Sequence, residues 1–120
     1  MKVKDAIDFI RANDVDHEHL SDEHLTLMIH GAMNHHAFDY VTDEQNKLVG
    51  LYIGRWERPY TEFRVLLFVG RGSFKTLFTR FKQRFPLCET VRTMRHVKRD
   101  GRYIPQLTER TYSATRTPII

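Results

Sequence analysis

The sequence has very little cysteine and no long hydrophobic run. Its single cysteine, Cys88, excludes an intramolecular disulfide and a thiolate metal cluster. It follows a proline with no evident base beside it, so we expect a structural role for its thiol. No stretch approaches the roughly 20 apolar residues of a membrane span, and residues 1–5 lead into a charged helix without a signal-peptide core. We therefore expect a soluble, cytoplasmic protein without a membrane partner.

Acidic residues are scarce in the second half of the chain. Residues 1–60 carry 6 Lys and Arg against 11 Asp and Glu, a net charge of −5, whereas residues 61–120 carry 13 against 4, a net charge of +9. A basic half indicates a polyanionic partner such as nucleic acid, an acidic protein or a phosphate-bearing cofactor. The opposite signs also allow the two halves to complement each other.

Seven histidines are present, but their spacing lacks the pattern of a metal site. The densest group is His17 and His19 with His24 nearby, and His24 and His30 do not share a helical face. No His-Glu-x-x-His motif occurs. The sequence therefore predicts no bound metal.

The length of 120 residues and a hydrophobic content of 41% fit one domain with a real core. We place this domain at residues 1–107. Residues 108–120 are rich in Thr, Ser and Arg and lack periodicity, so we predict an extended C-terminal tail.

Hydrophobic periodicity predicts an α+β fold with a mainly antiparallel mixed sheet flanked by helices. Ser21 is a good N-cap for the second helix, because Asp22 and Glu23 follow it. Asp100-Gly101 is a strong hairpin signal. We predict helices at about 3–13, 21–34 and 73–85, and strands at 37–42, 48–56, 63–69, 90–98 and 103–104.

The third predicted strand and third helix form the central unit of the chain. Residues 63–69 are almost continuously apolar, as in a strand covered on both faces. The Gly70-Arg71-Gly72 turn follows, and Ser73 is the predicted N-cap of the next helix. That helix has an apolar stripe, predicted to face the sheet, made of Phe74, Leu77, Phe78, Phe81 and Phe85. Its free N–H groups, with Arg71 and Lys75, favour an anion at this turn.

The order of elements and two stretches of sequence resemble the core of the GNAT family of N-acetyltransferases, especially its short, divergent phage versions. Residues 47–53, KLVGLYI, are similar to a hairpin strand of that family. Residues 69–78, VGRGSFKTLF, resemble its Arg/Gln-x-x-Gly-x-Gly/Ala signature. Val69 stands at the first signature position and Phe74 at the last, small one, while Gly72 matches the middle glycine.

The resemblance implies a GNAT-like fold, an acetyl-CoA cofactor and acyl transfer to an unknown amine. The implied cofactor-binding residues are Val69, Gly70, Arg71, Gly72, Ser73, Phe74 and Lys75. The amine must lose a proton before it attacks the thioester, and Glu62 and His96 are the candidate catalytic bases. For a phage-encoded member the implied location is the host cytoplasm.

Two other functions remain open at this point. The basic half predicts a nucleic-acid interface, with positive charges for phosphates and a tyrosine for stacking a base. Its candidate residues are Arg92, Arg95, Lys98, Arg99, Arg102 and Tyr103. The third hypothesis is a non-catalytic protein of the same fold that binds another protein.

Overall fold

Four strands form one mixed sheet with three helices around it, in a computed structural model that describes residues 1–14, 17–93 and 95–106. The helices are α1 Val3–Asn13, α2 Asp22–Asn34 and α3 Phe74–Arg84, the last preceded by a short 3-10 turn at Arg71–Ser73. The strands are β1 Phe38–Thr42, β2 Leu48–Arg58, β3 Glu62–Val69, β4 Thr90–Thr93, β5 Arg95–Arg99 and β6 Arg102–Gln106. The predicted α+β class is confirmed. The predicted tail, residues 108–120, lies outside the described residues.

The sheet has the order β1-β2-β3-β4. β1 with β2 and β2 with β3 are antiparallel, as short turns between them require, whereas β3 and β4 are parallel because α3 connects them. β5 and β6 form a separate antiparallel hairpin. Asp100 and Gly101 occupy its turn with φ of 51° and 76°, which confirms the hairpin predicted from this dipeptide.

The two sheet faces receive different helices. Alternation along β2 places Tyr52 and Trp56 on one face, where both rings contact Phe81 of α3 at centroid distances of 6.3 and 5.9 Å. Leu51 and Ile53, both fully buried, lie on the other face, and α1 and α2 contact this strand. The Ser21 hydroxyl accepts from the His24 amide at 3.1 Å, so the predicted cap of α2 is confirmed.

The apolar stripe of α3 packs on the sheet along most of its length. Leu77, Phe81 and Phe85 are buried, and Phe78 is partly buried. Phe74 also contacts the sheet, with its ring centroid 5.5 Å from that of Phe68 in β3, but it is 41% exposed. It is the first helical residue and lies beyond the part of β3 that β4 covers. Within the described chain, no helix combines the length and apolar character needed to cross a membrane.

Candidate functional site

The turn between β3 and α3 is packed directly against β2. Gly70 has φ of +92°, a conformation that favours glycine. A Cβ atom at Gly70 would lie 2.2 Å from the Val49 carbonyl oxygen, and one at Gly50 would lie 1.6 Å from Ser73 Oγ. Both glycines are therefore required by the close approach of the turn to the strand.

Ser73 does not cap α3 as predicted. Its hydroxyl donates to the Gly70 carbonyl at 2.6 Å, and its N–H donates to the same oxygen at 2.9 Å. The reason is its conformation: φ of −92° and ψ of −4° continue the 3-10 turn, whereas a capping serine has extended backbone. Ser73 therefore stabilises the turn, and its side chain satisfies no N–H group of the helix.

The remaining predicted positions of the turn are brought together at the start of α3. Gly72 is open, because a Cβ atom there would meet nothing within 4 Å, and Lys75 is exposed. The first N–H groups of a helix have no acceptor within it, so this end of α3 carries a partial positive charge. Because Gly72 has no side chain and the space beside it is open, an anion can approach the backbone between Gly72 and Lys75. The Arg71 side chain lies outside the described part of the structure.

The sheet opens beside this turn. β4 pairs with residues 62–65 of β3 only, although β3 continues to Val69. After Thr93 the described strand β5 pairs with β6, and no described pairing joins it to β3. The second half of β3 is therefore covered by β2 on one edge and lacks a described partner on the other.

A small apolar cavity of about 50 Å³ lies at this opening, between β3, β4 and α3. Phe68 and Phe78 line it, and the Phe74 ring stands between them with centroid distances of 5.5 Å to Phe68 and 5.6 Å to Phe78. Val69, the other unusual residue of the signature stretch, is buried. The bulky Phe74 therefore lines this cavity, at a position where the resemblance implies a small residue.

The two candidate bases lie in different parts of the molecule. Glu62 begins β3, with Oε2 3.8 Å from Arg58 Nε, and is separated from the glycine turn by the length of the strand. Seven residue steps at about 3.3 Å correspond to roughly 23 Å. His96 belongs to β5 opposite Pro105, and its side chain lies outside the described ones. Their catalytic role stays a prediction.

The residues predicted to bind nucleic acid are divided between the two sheets. Arg92 lies in β4 beside Arg64 of β3. The other five are in the hairpin, where Lys98 pairs with Tyr103 and Arg99 with the exposed Arg102; Arg95 begins β5. A nucleic-acid interface and a non-catalytic binding role both stay predictions.

Sequence reasoning missed two arginines that the sheet brings next to Arg92. Arg55 of β2 is directly opposite Arg64 of β3, which is directly opposite Arg92 of β4. The residue pattern gave no signal for this alignment, because it depends on strand register. These three side chains are called the arginine row below.

Within residues 1–14, 17–93 and 95–106, no group of three or more His, Cys, Asp and Glu side chains is arranged to hold a metal ion. Comparison with known proteins gives no family model, curated protein or solved structure that matches this chain.

Proposed function

We propose that the chain is a GNAT-like N-acyltransferase that moves an acyl group from acetyl-CoA to an amine. The observation that carries the proposal is the opening of the sheet beyond Val65, at the end where the glycine turn leads into α3. Ligands of open sheets bind outside the carboxyl ends of parallel strands, and helix N-termini there bind phosphates. The order of two helices, a hairpin, a central strand, a helix and a parallel strand further supports it.

The residues at the turn fit a pyrophosphate. Gly72 leaves room for it, the first N–H groups of α3 are its donors, and Lys75 adds a positive charge. Ser73 holds the turn in shape through the Gly70 carbonyl, so the donors are fixed before the anion arrives. Pre-organised donors of this kind cost no rearrangement on binding.

The apolar cavity fits the rest of the coenzyme only if Phe74 moves. Its volume of about 50 Å³ is far below the roughly 300–1,000 Å³ of a site for a drug-sized ligand. Phe74 is 41% exposed and belongs to the first turn of α3; in this proposal the bound coenzyme displaces its ring from Phe68 and Phe78 while Leu77 and Phe81 stay buried. In this proposal Phe74 closes the site when it is empty.

Acetyl-CoA supplies an activated thioester carbonyl when it is bound. The chain orients the acceptor amine and takes its proton, for which Glu62 or His96 is the proposed base. The Glu62 carboxylate lies 3.8 Å from Arg58 Nε, at the start of β3.

Calorimetric titration with coenzyme A tests the proposal. We expect Gly72→Val to weaken binding by about tenfold or more, because its branched side chain crowds the phosphates. Lys75→Ala should weaken binding by about threefold. The matched control is Lys82→Ala, which removes the same charge from the last turn of the same helix and should change binding little.

Phe74→Ala provides a test with the opposite sign. It opens the cavity and restores a small residue at the last signature position, so we expect tighter binding than in the unmodified protein. The proposal is wrong if millimolar coenzyme A gives the unmodified protein neither binding heat nor thermal stabilisation and Phe74→Ala does not restore binding.

A further inference from the structure

The arginine row lies on the sheet face that α3 does not cover. Neighbouring residues in the same strands, Trp56 and Phe63, pair with each other and contact α3, so alternation directs the arginines to the opposite face. Adjacent strands are about 4.8 Å apart, which places the Cα atoms of Arg55 and Arg92 roughly 10 Å apart with Arg64 between them.

One carboxylate, that of Glu57, contacts two of the three arginines of the row. Arg55 Nη2 donates to Glu57 Oε1 at 3.0 Å, and Arg64 Nε lies 2.7 Å from the same oxygen, in an ion pair without an aligned hydrogen bond. The hydrogen bond from Arg55 lowers the pKa of Glu57, burial opposes this, and the charges of Arg55, Arg64 and Arg92 lower it further. Glu57 is therefore ionised at neutral pH, and the four groups together carry a net charge of +2.

This charge is not compensated by the described protein groups. The Nε atoms of Arg64 and Arg92 are buried and have no hydrogen-bond acceptor among the described residues. Like charges directly opposite each other in a sheet are destabilising, and buried donors normally have partners. The neighbouring Glu62 does not remove the excess, because it is paired with Arg58.

We propose that the arginine row is a binding site for a phosphate monoester group of a small molecule. A phosphate dianion matches the net charge of +2, and its oxygens can accept from several guanidinium groups at once. Arg55 is 60% exposed and Arg64 is 23% exposed, so a small ligand reaches the row from solvent. The site is independent of the acyltransferase proposal.

The same surface disfavours a nucleic-acid backbone. With Glu57 among them, the three arginines keep enough positive charge for one phosphate dianion, whereas a nucleic-acid backbone requires a longer series of cationic contacts. The row is also distinct from the glycine turn, because six residue steps along β3 put Arg64 roughly 20 Å from Gly70.

Titration with inorganic phosphate, followed by calorimetry at low ionic strength, tests the site. We expect Arg64→Gln and Arg92→Gln each to weaken phosphate binding by about tenfold. The control is Arg102→Gln, which removes the same charge from an exposed position on the β5–β6 hairpin and should leave binding nearly unchanged. Coenzyme A also carries a phosphate monoester, so coenzyme A binding that is weakened by Gly72→Val but not by Arg64→Gln belongs to the glycine turn and not to the arginine row.

Glu57→Gln gives a test that a purely structural role would not pass. Phosphate competes with the Glu57 carboxylate for Arg55 and Arg64. Removal of the carboxylate should therefore tighten phosphate binding. Acetate at the same concentration should bind more weakly than phosphate, because it carries one charge. The inference is overturned if inorganic phosphate does not bind. It is also overturned if Arg102→Gln weakens phosphate binding as much as Arg64→Gln does. The third contradicting outcome is a Glu57→Gln variant that circular dichroism shows to be folded and that no longer binds phosphate.

Discussion

The two faces of one end of the sheet differ completely in chemistry although the same strands form both. Trp56, Phe63 and Val91 are paired across β2, β3 and β4 and face α3; they are called the apolar row here. The arginine row is displaced from it by a single residue in each strand. Side chains of α3 cover the apolar row. The arginine row retains positive charge that the described protein groups do not neutralise, and the Nε atoms of Arg64 and Arg92 have no hydrogen-bond partner among those groups.

The apolar row has the packing of a stabilising core. Trp56 lies 4.8 Å from Phe63 and 4.9 Å from Phe85 between ring centroids, both in edge-to-face geometry, and Phe63 lies 4.9 Å from Phe81. Such aromatic pairs add roughly 0.5–1.5 kcal/mol beyond the burial of their area. The difference between the faces therefore separates a surface that holds the fold from the surface that we propose binds a phosphate.

The largest expected effect on stability comes from truncating a buried ring of α3 that packs on the apolar row. Phe81→Ala removes a buried ring that contacts Tyr52, Trp56 and Phe63, so we expect a loss of about 3–5 kcal/mol in the free energy of unfolding. Urea denaturation followed by tryptophan fluorescence measures this loss. Phe74→Ala, at a partly exposed ring of the same helix, is the control and should cost much less. A loss below about 1 kcal/mol for Phe81→Ala would contradict this assignment of the core.

The free energy of unfolding should also depend on alkaline pH, through the buried thiol of Cys88. Burial raises the pKa of the Cys88 thiol to about 11. Above pH 9 the unfolded chain loses this proton while the folded protein keeps it, so stability falls as the pH rises through the folded pKa. The expected loss from this group is about 2 kcal/mol between pH 9 and 11.

Cys88→Ala should remove that contribution, which denaturant titrations at pH 8 and pH 10.5 would detect as a smaller loss of stability. The same thiol should react slowly with an aromatic disulfide reagent until the protein is unfolded. Rapid reaction in the folded protein would show that Cys88 is not the buried structural group described here.

The arginine row should instead make the free energy of unfolding depend on acidic pH, through the Glu57 carboxylate. The folded-state pKa of Glu57 is held below its ordinary value of 4.5, first by the hydrogen bond from Arg55. Its contribution is therefore present above pH 4.5 and is lost as the pH falls through the folded pKa. Glu57→Gln should cost about 1 kcal/mol at neutral pH and flatten the acid limb of a stability profile. An acid limb identical to that of the unmodified protein would exclude a structural role for this carboxylate.

The smallest effect is expected from the arginines themselves. Arg92→Gln relieves repulsion from Arg64, so we expect the protein to be unchanged or stabilised by about 0.5 kcal/mol. By contrast, truncating Phe63 of the apolar row, on the other face of the same strands, should lower the free energy of unfolding. Thermal unfolding without phosphate measures the change, and a clear destabilisation by Arg92→Gln would mean that the row holds the fold rather than a ligand.

Local signals made much of the fold predictable. Ser21 was recognised as a cap because Asp22 and Glu23 follow it, and Asp100-Gly101 as a turn because both residues adopt positive φ readily. Ser73 was not predictable in the same way. Its residue type is right for a cap, but the contact of the turn with Gly50 and Val49 imposes a backbone conformation that points its hydroxyl backward.

The sequence by itself determined the fold class, the order of elements as far as α3 and the apolar stripe of α3, because these depend on periodicity along the chain. The single strand predicted at 90–98 was wrong, because β4 and β5 belong to different sheets. Only the tertiary structure decided which arginines meet. Ile53 pairs with Leu67 but Gly54 pairs with Val65, so a bulge at Leu66 shifts the register. Without that shift Arg55 would face Val65 in place of Arg64. One extra residue in a strand moves every later side chain relative to its neighbour, and no local pattern encodes where it is accommodated.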